Sequence, residues 1–307
     1  MSAAVPNHGH THMRAALLML GSALFFGLMA VAIRLASKSL HTFEIAFFRN
    51  FFGLIAASPL LLRHGTQILR TQQFPRYIVR CVIGVLGMFC GFWAIGHLPL
   101  AQAISLSYST PLFVTIMAVW FLGEQVRARR WAAVAVGFLG VLLIVRPGST
   151  SFTGGTLVAI SAAVLSALVA IQIKQLSRTE PADRIVLYTT MLWVPMSLLP
   201  ALFVWTWPQG ITWLWVAAAG TMGTCGHMFW TRALKLGDVS ALTPISFMQL
   251  PVVAVFGWWL FGERLDRWTI AGAAIIFGAN AYIAHREATL ARNHATQAPA
   301  EAAQPNE

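Results

Sequence analysis

Apolar residues fill this chain in ten long runs divided by short polar breaks. A run of roughly 20 apolar residues crosses the ~30 Å hydrocarbon layer of a bilayer. By that rule the pattern predicts ten membrane helices, at about 14–36, 42–62, 76–96, 101–122, 129–146, 154–175, 185–206, 211–233, 240–261 and 267–285. The breaks carry turn residues: Arg-Pro-Gly-Ser at 146–149, Thr-Glu-Pro at 179–181 and Trp-Pro-Gln-Gly at 207–210. The first run is too long for a signal-peptide core, and no small-residue cleavage site follows it, so it reads as a membrane helix. Residues 1–13 and 286–307 are polar or Ala/Gln/Glu/Asn-rich and read as disordered tails.

The pattern repeats. LPLAQAISLSYSTPLFVTIMAVWFLGE (Leu98 to Glu124) has a small, hydroxyl-bearing first half, an internal proline at Pro111 and a Gly-Glu stop. LGDVSALTPISFMQLPVVAVFGWWLFGE (Leu236 to Glu263) repeats that plan, with Pro251 inside it, and the two stops lie 139 residues apart. Each copy follows a Cys-Gly…Phe-Trp run (Cys90 to Trp93, Cys225 to Trp230) and leads into a Trp-led apolar segment. Two halves of five helices, 14–146 and 154–285, must enter the membrane from opposite faces. They are therefore expected to be inverted repeats about a pseudo-two-fold axis in the membrane plane, with function where they meet.

Composition sharpens this picture. Hydrophobic residues make up 57% of the chain and charged ones only 10%, against about 25% charged in a soluble domain. The chain therefore reads as an all-α integral membrane protein. Its net charge of +11 points to basic residues gathered in loops on one membrane face rather than to nucleic acid. With the N-terminus placed in the cytoplasm, fifteen Lys and Arg fall on the cytoplasmic side, Arg76 and Arg80 among them. Five fall on the other side: Arg34, Lys38, Arg146, Arg264 and Arg267. Both termini are thus expected inside. Cys81, Cys90 and Cys225 lie in apolar runs without metal spacing, and His8, His10 and His12 read as part of a solvated tail. No metal or cofactor is expected.

Arg49, in FFRNFFG, is the main candidate for chemistry. A charge near a helix centre costs about 2.5–3.5 kcal/mol on insertion scales, so it faces the interior, to bind an anionic group or to clamp helices. Glu44 lies about 140° away around the same helix and reads as an exposed helix-start carboxylate or a proton carrier. Glu124 and Glu263, at the Gly-Glu stops, are expected to cap the next helix or to pair locally with Arg127 or Arg264. Pro111, Pro244 and Pro251 free carbonyls at membrane depth. Around them cluster Gln102, Ser105, Ser107, Tyr108, Ser109 and Thr110, and Thr243, Ser246, Phe247 and Gln249. These point to a midplane cavity, with Tyr108 and Gln249 as binding residues, or to helix–helix glue. Trp93 and Trp230 are candidates for stacking on a substrate or for interfacial anchoring, and His227 for binding or proton coupling. Trp205, Trp207, Trp213 and Trp215 read as an aromatic belt, and Asn280 and Gln172 as interhelical bonds. The sequence holds no nucleotide-binding loop and no metalloprotease or nucleophile-elbow motif.

The chain resembles the EamA-type branch of the drug/metabolite transporter superfamily. The resemblance rests on Leu98–Pro99, Pro111, Leu122–Glu124 and Trp131 with Gly137 and Gly140, repeated as Ala233–Leu236, Pro251, Phe261–Glu263 and Trp268 with Gly272 and Gly278, together with Arg49 in the second helix. It implies a multi-pass protein of the bacterial inner membrane, among lipid, that works by alternating access. Its expected cargo is a small polar metabolite, driven by its own gradient or by protons. Export of a carboxylate-bearing amino-acid derivative is the first reading, down to an opine or nicotianamine-like metallophore of the pseudopaline type. Import of a vitamin or of S-adenosylmethionine remains open on the same fold. An intramembrane lipid-modifying enzyme and an ion channel are the rivals of another class.

Overall fold

The computed structural model describes residues 8–64, 71–123, 128–148, 152–236, 242 and 245–302. Its helices are α1 (His8–Ala36), α2 (Thr42–His64), α3 (Phe74–His97), α4 (Leu100–Ser107), α5 (Thr110–Leu122) and α6 (Ala128–Val145) in the first half. The second half has α7 (Gly154–Leu176), α8 (Ala182–Leu202), α9 (Thr212–Leu236), α10 (Gln249–Phe261) and α11 (Arg267–Ala302). Helix therefore reaches into both stretches that the sequence presents as tails. Met13–Ala36, Phe74–His97, Leu100–Leu122, Ala128–Val145 and Gly154–Leu176 are long and apolar enough to cross a membrane.

The fourth predicted helix is two. Tyr108 and Ser109 form a turn between α4 and α5, and Pro111 stands in the first turn of α5 rather than in mid-helix, where its missing N–H leaves no bond unmade. The corresponding turn in the second half is Phe247–Met248, with Pro251 the third residue of α10. The hydroxyls of this region serve the break itself. Ser105, Ser107, Ser109 and Thr110 donate to the carbonyls of Ala101, Ile104, Leu106 and Ser107 at 2.6–2.7 Å, so they are spent on backbone of their own turn. Both helices end on a left-handed glycine, Gly123 (φ 67°) and Gly262 (φ 65°), a conformation that a residue with a Cβ seldom adopts.

Packing follows the duplication. Helix α1 lies on α9 as α3 lies on α7, α5 packs on α7 as α10 does on α1, and α2 packs on α9 as α3 does on α8. Two pairs close on themselves across the pseudo-axis, α2 with α8 and α6 with α11, and α4 packs on α10. Among the described residues, the most extensive packings all join one half to the other. Small residues permit this, as expected where lipid supplies no drive to bury large side chains. A methyl built on Gly140 would stand 2.7 Å from the Gly272 carbonyl oxygen, and one on Gly272 would stand 2.5 Å from that of Gly140. Trp120 and Trp259 point outward instead, 77% and 68% exposed.

Candidate functional site

Arg49 lies on α2, seven residues or roughly 10 Å from the end that begins at Thr42. Its Nη1 donates to Asn50 Oδ1 at 3.0 Å, and its buried Nε has no hydrogen-bond partner. No carboxylate pairs with it among the described residues. The guanidinium passes over Gly223 of α9, where a methyl would stand 2.9 Å from Nη2 and 2.8 Å from Met29 Sδ of α1. Asn50 is held in turn by donating to Ser197 Oγ of α8 at 3.2 Å. The cation is thus aimed between α1 and α9, with spare donors and, among the described residues, no counter-ion.

His227, one turn further along α9, lies within electrostatic reach of Arg49. Its ring meets Phe26 of α1 edge-on, at 5.0 Å between centroids. Residues of α1 link this region to the helix breaks, because Gly27, beside Phe26, packs against Val252 and Gln249 of α10. At the breaks, the Tyr108 hydroxyl stands 2.8 Å from the Ser246 carbonyl oxygen and 3.2 Å from Gln249 Oε1, and shares its proton between them. The Tyr108 ring stacks on Phe247 with centroids 4.0 Å apart. Asn280 of α11 donates to the Tyr108 carbonyl at 2.8 Å, which makes it the interhelical bond that the sequence suggests. The structure therefore brings Tyr108 and Gln249 into contact, and α1 bridges that contact to Arg49 and His227.

The remaining candidates lie elsewhere. Trp93 stacks on His97 at 4.1 Å near the end of α3, against Gly155 of α7. Trp230 is exposed on α9. Trp205, Trp207 and Trp213 cluster with one another and with Phe48 at one end of the bundle. Glu124, Pro244 and Thr243 fall outside the described residues.

Three readings of charged groups change. Glu44 is 1% exposed, not an open helix-start carboxylate. It accepts from the His41 N–H at 2.8 Å and the Thr206 hydroxyl at 2.8 Å, and also from the Thr206 N–H. It thereby caps α2 and ties it to the segment before α9. Arg80, counted with the cytoplasmic loops, is buried in α3 and bonds Thr189 of α8. Glu263 neither caps the next helix nor pairs with Arg264. Asp266 takes the cap, accepting from the Thr269 N–H at 3.3 Å, while it pairs with Arg146. Glu263 instead bonds Arg34 and the start of α4. The sequence offers one cue for Asn50, its place beside Arg49 in an apolar run. The Arg34–Glu263 pairing spans 229 residues and has no local signal.

The EamA-like transporter family profile matches residues 13–146 and 153–284, one domain for each five-helix half. The chain is 30% identical over 259 residues to the S-adenosylmethionine uptake transporter of Rickettsia felis, covering 84% of this chain and 88% of that one. It is 31% identical over 288 residues to the riboflavin transporter of Vibrio cholerae, covering 92% and 97%. To the pseudopaline exporter CntI of Pseudomonas aeruginosa it is 32% identical over 257 residues, covering 82% and 89%. A solved crystal structure shares the fold, with a TM-score of 0.61 over 89% of this chain at 21% identity. A multi-pass membrane chain of two inverted five-helix units, matched by the profile in both halves and similar to importers and an exporter alike, belongs to the EamA-like transporter family of the drug/metabolite transporter superfamily.

Proposed function

We propose that this chain is a secondary transporter that carries a small carboxylate-bearing metabolite, an amino-acid derivative, out of the cell by alternating access. Arg49 is the observation that carries the reading. A cation deep in a membrane bundle, with one neutral hydrogen-bond partner and no acid among the described residues, supplies the fork that a carboxylate fits. Tyr108 and Gln249 line the pathway where the two halves meet. His227 stands beside Arg49 as a further donor or as the coupling group. The excess of Lys and Arg on one face supports a bacterial inner-membrane setting with both termini in the cytoplasm. The pseudopaline exporter supports the outward direction. The S-adenosylmethionine uptake transporters favour a second reading, inward transport of a metabolite with the same amino-acid head group.

The test compares metabolites in wild-type cells, a deletion strain and a strain carrying Arg49→Ala at matched membrane abundance. A carboxylate-bearing compound that builds up inside both altered strains, and falls in the medium, is the expected result. Depletion of an externally supplied compound from the deletion strain selects the inward reading. An Arg49→Ala strain that behaves as wild type overturns the assignment of Arg49.

A further inference from the structure

At the face where α3 ends and α4 begins, Glu263 occupies a place that a small carboxylate would fit. Its Oε1 lies 3.2 Å from Arg34 Nη2, and its Oε2 accepts the N–H of Leu100, first residue of α4, at 2.8 Å. Arg34 Nη1 donates to the Ile95 carbonyl of α3 at 2.9 Å. One carboxylate thus pins the α10–α11 link to α1, α3 and α4. The backbone makes room for it, because a methyl on Gly257 would stand 2.9 Å from Glu263 Oε2. The Phe261 ring lies under both Arg34 and Lys38, at 5.7 and 5.2 Å. Outside the pin is a cavity of about 370 Å³ whose walls include Gln102, Arg264, Asp266 and Glu263 itself. Glu263 therefore stands between that cavity and Arg34.

The pair is not sealed, since the Arg34 and Glu263 side chains keep 19% and 15% of their exposure. An ion pair at such a site is held modestly, and an arriving carboxylate competes for the same guanidinium on equal chemical terms. We propose that Arg34 is a second carboxylate-binding station, at the mouth of the pathway, and that Glu263 fills it as an internal stand-in while that face is closed. When a substrate carboxylate takes Arg34, Glu263 releases the start of α4 and the α10–α11 link moves away from it. The station rests on the reading of a carboxylate-bearing substrate, whereas the pin does not.

The experiment uses the full chain in lipid nanodiscs, with its three cysteines replaced by serine and Ile104, one turn inside Leu100 on α4, replaced by cysteine. A charged maleimide reports access to that thiol, and citrate at constant ionic strength is the carboxylate probe. Arg34→Gln and Glu263→Ala are each expected to speed labelling roughly fivefold to tenfold, and the exchange Arg34→Glu with Glu263→Arg to leave it fast, because an arginine at 263 offers the Leu100 N–H no acceptor. Gly257→Ala, which displaces the carboxylate but keeps both charges, is expected to speed labelling as well and replaces the exchange if that variant does not fold. Citrate is expected to slow labelling in Glu263→Ala, where Arg34 is bare, and to leave Arg34→Gln unchanged. Labelling indifferent to both single substitutions overturns the pin. Citrate protection that survives Arg34→Gln, or is absent from Glu263→Ala, overturns the station. Neither readout depends on transport through Arg49, so the two proposals fail separately.

Discussion

Gly223 leaves the Arg49 guanidinium its path between α1 and α9, and the missing side chain matters as much as the cation. Gly223→Ala brings a methyl against two flexible tips, Arg49 Nη2 and Met29 Sδ. The fold absorbs this at about 1–2 kcal/mol while the guanidinium swings aside. Transport is expected to fall roughly tenfold or more with membrane abundance nearly unchanged, as read by flux per molecule. Glu180, in the link between α7 and α8, behaves differently. Burial pushes its carboxyl up, but bonds from Thr71 and Arg184, each 2.7 Å, outweigh that and hold it below the usual carboxylate range. A carboxyl lowered in the folded state contributes stability that is complete above its unfolded value and is lost as pH falls through the folded one. Melting temperature in detergent is therefore expected to drop below about pH 4, with Glu180→Gln flattening that part of the curve. At this scale the sequence reveals a residue when its cost is local. Arg49 is conspicuous because an apolar run surrounds it, whereas Arg80, four residues after Arg76, looks like loop until Thr189 of another helix is seen to bond it.

The helix breaks show what a run of residues encodes and what it does not. Proline and a density of hydroxyls mark the place at which the fourth membrane segment is divided. They do not mark which groups remain open to a ligand, because a serine that bonds its own turn and one that faces a cavity look alike in sequence. Tyr108 and Gln249 stand out only when α4 and α10 are brought together. Helix pairing through glycine is a matter of spacing on one face, and it gives a direct test. Gly140→Ala and Gly272→Ala each force α6 and α11 apart at a backbone contact that cannot rotate away. Each is expected to cost about 1–3 kcal/mol, seen as a lower melting temperature. The pair together should cost less than the sum, since the first substitution already opens the gap.

Across the whole molecule the halves are interlocked, so neither buries its own helices alone. Divided between Val145 and Gly154, the chain is expected to give fragments that are degraded when made singly and that restore flux when made together, as immunoblot and transport assay would report. The duplication and its inversion are legible from the sequence, since run lengths and the matched Gly-Glu stops set the topology. Which helix of one half lies on which helix of the other depends on shape, and periodicity does not carry it. Where the halves meet, the stacked rings of Tyr108 and Phe247 each stand fifteen residues before their left-handed glycine. They are one position of the ancestral unit facing itself. One copy has a hydroxyl anchored to the other half, and its twin has none. Two conformers of a perfectly matched pair, exchanged by the two-fold axis, would be equally populated. This mismatch makes them unequal, so the resting protein has a preferred side.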